Sequence, residues 1–177
     1  MKLQVKILIV EDNVDLVELY QAALELKSHE VTISLDGEMC LNMYHGELEK
    51  LGSDSHLLPY DVVVIDYKIP KKDGLQVAKE ILALRPTQRI IFTSAYVKEL
   101  IQNEVDSVLR DSQQFIEKLQ KPFELTELTD KIELKELTTI LGKFGVQISA
   151  DKISRKYTQC QDLINRLLAL EKDYLCN

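Results

Sequence analysis

The 177-residue chain is 45% hydrophobic and 29% charged, enough for one globular domain with a real core plus an appendage. Its net charge of −7 is spread as 14 basic against 20 acidic side chains in residues 1–123 and 8 against 9 in residues 124–177, without the basic stripe of a nucleic-acid surface, so no nucleic-acid partner is expected. No apolar run approaches the ~18 residues of a membrane span, and the opening MKLQVKILIVED turns acidic too early for a secretory leader; a cytoplasmic protein without a membrane partner is expected.

In chain order, KILIV (6–10) reads as a short strand closed by Glu11 and Asp12. Residues 11–27 then carry apolar side chains at 14, 16, 17, 19, 20, 23, 24 and 26, a helical stripe rather than an alternation. VTISL (31–35) is a β-branched strand ended by the Asp36-Gly37 turn signal, and residues 38–51 look helical apart from Gly46. A polar, proline-marked loop (51–60) leads to VVVI (62–65), a strand apolar on both faces. GLQVAKEILALRP (74–86) is a helix stopped before Pro86, and RIIFTSA (89–95) is the next strand.

Strands apolar throughout must be buried on both sides, and their alternation with helices specifies a doubly wound α/β domain with a parallel sheet. Beyond Ala95, Val97, Ile101, Val105, Val108, Phe115 and Leu119 fall near helical spacing, so a long helix followed by a short, atypical fifth strand is expected before Lys121. From Glu124 the apolar residues Leu125, Leu128, Ile132, Leu137, Leu141 and Phe144 mark a helix that Gly142 and Gly145 break. Ser149 is then the expected N-cap of a second helix carrying Ile153, Tyr157, Cys160, Ile164 and Leu167. Cys40, Cys160 and Cys176 are an odd number, widely spaced and without a CxxC, so free thiols are expected; His29, His45 and His56 read as surface residues.

In a doubly wound sheet, groups just past the carboxyl ends of the strands share one crevice. Here those ends carry Glu11-Asp12, Asp66, Thr93-Ser94 and Lys121. Three carboxylates brought together raise one another's pKa unless a cation lies among them. An all-oxygen set suits a hard divalent ion, Mg²⁺, with the lysine as a further positive charge.

Four motifs in order, ILIVEDN (7–13), VVVIDYKIPKKDG (62–74), RIIFTSA (89–95) and KPF (121–123), resemble the receiver domain of two-component response regulators over residues 5 to about 130. The resemblance implies a flavodoxin-like, five-stranded parallel sheet of order 2-1-3-4-5, with residues 1–130 as the receiver and 131–177 as a helical extension. It implies that Asp66 accepts a phosphoryl group from a sensor histidine kinase or phosphotransfer protein, and that Lys121 and the Ser94 hydroxyl contact phosphoryl oxygens. Asp12, Asp66 and the main-chain carbonyl of Lys68 would hold Mg²⁺ directly, and Glu11 through water.

Two alternatives accompany that reading: a degenerate receiver that binds or dimerises without phosphorylation, and a Mg²⁺-dependent aspartyl phosphatase or phosphotransferase. Lys118 stands where the family usually has an aromatic residue that reports phosphorylation, and Lys68 and Tyr96 flank the expected pocket. Residues 124–177 show no basic recognition helix, so output is expected through contacts with a downstream protein rather than a DNA-binding effector. The Ile153–Leu167 stripe serves either to pack on the domain or to form a homodimer.

Overall fold

The apolar runs become strands, and their burial accounts for the sheet. In a computed structural model, which describes residues 3–52, 56–95, 115–145 and 166, β1 (Lys6–Val10), β2 (Glu30–Ser34), β3 (Val62–Asp66), β4 (Ile90–Ser94) and β5 (Ile116–Gln120) form one sheet of order β2-β1-β3-β4-β5. Every pairing is parallel. This is the flavodoxin-like arrangement expected, with the three most apolar strands in the middle.

Side chains alternate across each strand. Leu8, Val10, Val63, Ile65, Ile90 and Phe92 join a buried cluster with Cys40, Leu41 and Tyr44 of α2 (Gly37–Leu51) and Leu75, Val77, Ala78, Ile81 and Leu82 of α3 (Gly74–Leu84). The intervening Ile7, Ile9, Val62, Val64 and Ile91 are buried outside that cluster, as are Val17, Tyr20 and Leu24 of α1 (Val14–Leu26). Where the cluster meets polar groups they are satisfied: the buried Tyr44 hydroxyl donates to Gln88 Oε1 at 2.7 Å, and Gln88 Nε2 donates to the Tyr60 carbonyl at 2.9 Å.

The described residues fall into two compact units. Lys6–Glu124 holds the whole sheet, and the second contains α4 (Leu125–Lys143). Within α4, Leu128, Ile132, Leu137 and Leu141 are buried at helical spacing, and Gly142 continues the helix instead of breaking it.

Four further expectations are corrected. Leu119, counted in the helical stripe, lies in β5; it is buried while Glu117 and Lys118 beside it are half-buried, because β5 is an edge strand with a polar side. Asp36-Gly37 is a helix start rather than a turn, Asp36 capping α2 by accepting from the Met39 amide at 2.8 Å. Gly46 lies inside α2. His29 is buried after the end of α1, whereas His45 and His56 are exposed as expected. Cys40 is a buried free thiol, pushed by burial up to about 12. The expected helix through Val97–Val108, Tyr96, the Ser149 cap, the Ile153–Leu167 stripe, Cys160 and Cys176 lie outside the described residues.

Candidate functional site

Parallel register brings the chemistry to one level. Val10 pairs with Ile65, so Glu11 and Asp66 follow side by side on adjacent strands. Asp66 in turn pairs with Thr93, and Ser94 with Gln120, so Lys121 leaves β5 level with the end of β4. The chain ends are tied there by backbone hydrogen bonds: the Glu11 amide donates to the Ser34 carbonyl at 3.1 Å, Tyr67 to Thr93 at 3.0 Å, and Lys121 to Ser94 at 2.8 Å.

Glu11, Asp12 and Asp66 each offer a carboxylate oxygen to one cluster, all within 4.8 Å of one another. The Lys121 ammonium answers them, with Nζ 2.5 Å from Glu11 Oε2 and 2.9 Å from Asp66 Oδ2. Glu11 is only 2% exposed, so burial raises its pKa, and the hydrogen bond and charge of Lys121 only partly offset that rise. Burial pushes Lys121 down, but its hydrogen bonds to Glu11 and Asp66 outweigh it, and the ammonium is held above its usual value. Asp12 is exposed at the mouth and Asp66 is half-buried.

Neither acidic element is spent on helix capping. Asn13 caps α1 through its side chain, with Glu11 Oε1 accepting from the Asn13 amide at 3.4 Å. Asp73 caps α3 in a reciprocal box with Gln76. Asp66 is thus left to the crevice, where its Oδ1 accepts from the Lys68 amide at 3.3 Å. Gly74 explains the spacing of the Asp-Gly pair that follows: a Cβ there would lie 2.4 Å from the Asp66 carbonyl oxygen, so only glycine lets α3 start that close to the strand.

The expected site residues Glu11, Asp12, Asp66 and Lys121 therefore come together in space, and Ser94 is buried at the adjoining strand end beside the equally buried Thr93. Lys68 is exposed on the loop after Asp66. Lys118, in the place of the reporting aromatic, pairs with Phe92 in the sheet, short of the crevice end of β5. Sequence reasoning missed the contact between Tyr20 and Phe123, whose rings stack with centroids 5.6 Å apart. Burial raises the Tyr20 phenol, and the charges of Lys121, Glu11 and Asp66 act on it, so this aromatic pair borders the site. Its only sequence signal was the position of Tyr20 on the apolar stripe of α1 and of Phe123 after Lys121-Pro122.

A sheet of this order with an acidic cluster and a lysine at its carboxyl edge defines a flavodoxin-like α/β domain with a candidate cation-binding crevice. The family model for the response regulator receiver domain matches residues 7–133, and the chain belongs to that family. Among curated relatives, the transcriptional regulatory protein DltR of Streptococcus agalactiae is 30% identical over 130 residues, covering 73% of this chain and 51% of that protein. The chain thus spans about half the length of the relatives it matches, such as this one. Among solved structures, the chemotaxis protein CheY4 of Vibrio cholerae aligns with a TM-score of 0.59 at 18% identity, over 74% of this chain and 98% of that one. The receiver domain of the Pseudomonas aeruginosa sensor histidine kinase PA1611, which holds a magnesium ion in its active-site cleft, aligns with a TM-score of 0.55 at 22% identity, over 74% and 96% of the two chains.

Proposed function

We propose that this chain is a phosphorelay receiver in which Asp66 takes a phosphoryl group from the phosphohistidine of a sensor kinase or phosphotransfer protein. The observation that carries the reading is the convergence of Glu11, Asp12 and Asp66 on one point with Lys121 bonded to two of them. An Asp66 carboxylate oxygen attacks phosphorus, the phosphorus–nitrogen bond breaks, and the imidazole leaves with its electron pair. Positioning and charge supply most of the catalysis of such a transfer. Lys121 lies on the Oδ2 side of Asp66 and contacts a phosphoryl oxygen from there, and the Ser94 hydroxyl contacts another.

The donor set fits a hard divalent cation. It is all oxygen, it clusters within 4.8 Å, and its buried member, Glu11, is only partly neutralised by Lys121. Asp12, Asp66 and the Lys68 main-chain carbonyl would hold Mg²⁺, with Glu11 one water away. When bound, the ion supplies positive charge to the phosphoryl oxygens. Residues 1–130 form the receiver in this reading and 131–177 a helical extension. Signalling in the cytoplasm runs through contacts with a downstream protein, and the C-terminal segment is the candidate for homodimerisation.

Incubation with Mg²⁺ and acetyl phosphate, followed by intact mass, tests the reading. Wild type gains one phosphoryl group and Asp66→Ala none. An unmodified wild type that also fails to bind beryllofluoride points to a degenerate receiver. Steady turnover of small phosphate esters points to a phosphatase.

A further inference from the structure

The loop between Asp66 and α3 is tied to the start of α2 by contacts that the phosphotransfer reading leaves unused. The Lys72 amide donates to the Pro70 carbonyl at 2.8 Å across Lys71, whose φ is +66°. A three-residue turn of that hand is rare and strained, and a lysine has no glycine-like freedom to adopt it. Strain of this kind persists only where the surroundings over-determine it.

Those surroundings are the first residues of α2. The Gly37 amide donates to the same Pro70 carbonyl at 3.2 Å, and a Cβ on Gly37 would lie 2.4 Å from the Lys72 carbonyl oxygen. The Lys71 ammonium reaches across to Asp36 Oδ2 at 2.8 Å, with Glu38 Oε2 at 3.8 Å. Asp36 thus serves two elements at once: Oδ1 caps α2 through Met39, and Oδ2 holds the loop. Lys72, next along, is turned away to Glu80 of α3 at 2.6 Å.

We propose that Lys71 is a positioning residue: its ion pair with Asp36 latches the 67–73 loop so that the main-chain carbonyl of Lys68 is presented to the divalent cation. The inference rests on the Mg²⁺ reading above and extends it to a residue outside the carboxylate cluster. It also makes a prediction of sign. Removing a positive charge near a cation site by itself tightens cation binding, whereas releasing the latch weakens it.

Calorimetric titration of the full chain with Mg²⁺ alone separates the two. Lys71→Met is expected to raise the Mg²⁺ Kd about two- to fivefold, the range that an ion pair with an exposed lysine supports. Lys71→Arg, which keeps the link to Asp36, restores it. Lys72→Met removes the same charge one residue on and leaves the latch in place, so its Kd stays at or slightly below the wild-type value. Wild-type or tighter binding by Lys71→Met, or failure of Lys71→Arg to restore affinity, overturns the latch while the Mg²⁺ site stands. Absence of Mg²⁺ binding by wild type overturns the site and the latch together.

Discussion

β3 and β5 are both five-residue parallel strands ending at the same crevice, yet they are built on opposite principles. β3 is VVVID, buried on both faces at the centre of the sheet, and it carries its one charge at the last residue. β5 is IEKLQ at the edge, with only Leu119 buried. Burial on both faces forces a strand to declare itself in apolar residues, while an edge strand needs only one core-facing side chain and leaves the rest free. The strand that carries Asp66 is therefore legible in the sequence. The element that in most receivers carries the reporting aromatic holds Lys118 instead, held in register with Phe92.

Truncating each strand in turn tests this contrast most severely. Ile65→Ala in β3 removes a fully buried side chain and is expected to cost about 2–5 kcal/mol in urea unfolding. Ile116→Ala, half-buried in β5, should cost less than half as much. Equal losses would show that the edge strand contributes as much to the core as the central one.

The lysine that β5 delivers is the next largest effect. Lys121 is 18% exposed on its side chain and its partner Glu11 only 3%, so Lys121→Met leaves a buried carboxyl without its cation and should cost about 3 kcal/mol at neutral pH without divalent ions. The pH dependence has a definite sign. Lys121 is raised in the fold, so in wild type its contribution is complete below the unfolded lysine value of ~10.4 and is lost as pH rises through the folded one. In the variant the raised Glu11 loses its main opposing influence. Its stability is then highest below the unfolded carboxyl value of ~4.3 and falls as pH rises through the folded one. Urea midpoints across pH 4 to 8 check this, and a flat profile in the variant would show that Glu11 finds another donor.

At the first residue of α3, Gly74→Ala forces a Cβ against the Asp66 carbonyl and should cost about 1–3 kcal/mol. The smallest effect is Glu80→Gln, which breaks the largely exposed pair with Lys72 and should change stability by less than about 1 kcal/mol. A larger loss there would mean that the loop is held as much from α3 as from α2.

Legibility in the sequence followed the same division. KILIV, VVVI and RIIFTSA marked three central strands through their apolar runs, Glu11-Asp12 and Asp66 stood out as charges where the first two stop, and Lys121 was marked by the KPF motif. β5 was obscured because Phe115 and Leu119 continue a helical spacing while Glu117, Lys118 and Gln120 mask the alternation. Asp36-Gly37 and Asp73-Gly74 are the same dipeptide, but only Gly74 was read as opening a helix; the three-dimensional contacts show that both aspartates cap helices. The Lys71–Asp36 pair and the Tyr20–Phe123 stack join residues far apart in the chain, so no local pattern announces them.

The function proposed for this fold depends on the carboxylate at the end of β3 being the group that accepts phosphorus. Borohydride reduction of protein treated with Mg²⁺ and acetyl phosphate converts an aspartyl phosphate to homoserine, which peptide mass mapping locates. Homoserine at position 66 and nowhere else is the predicted result; homoserine at Asp12 or Asp61 with position 66 unchanged would contradict it.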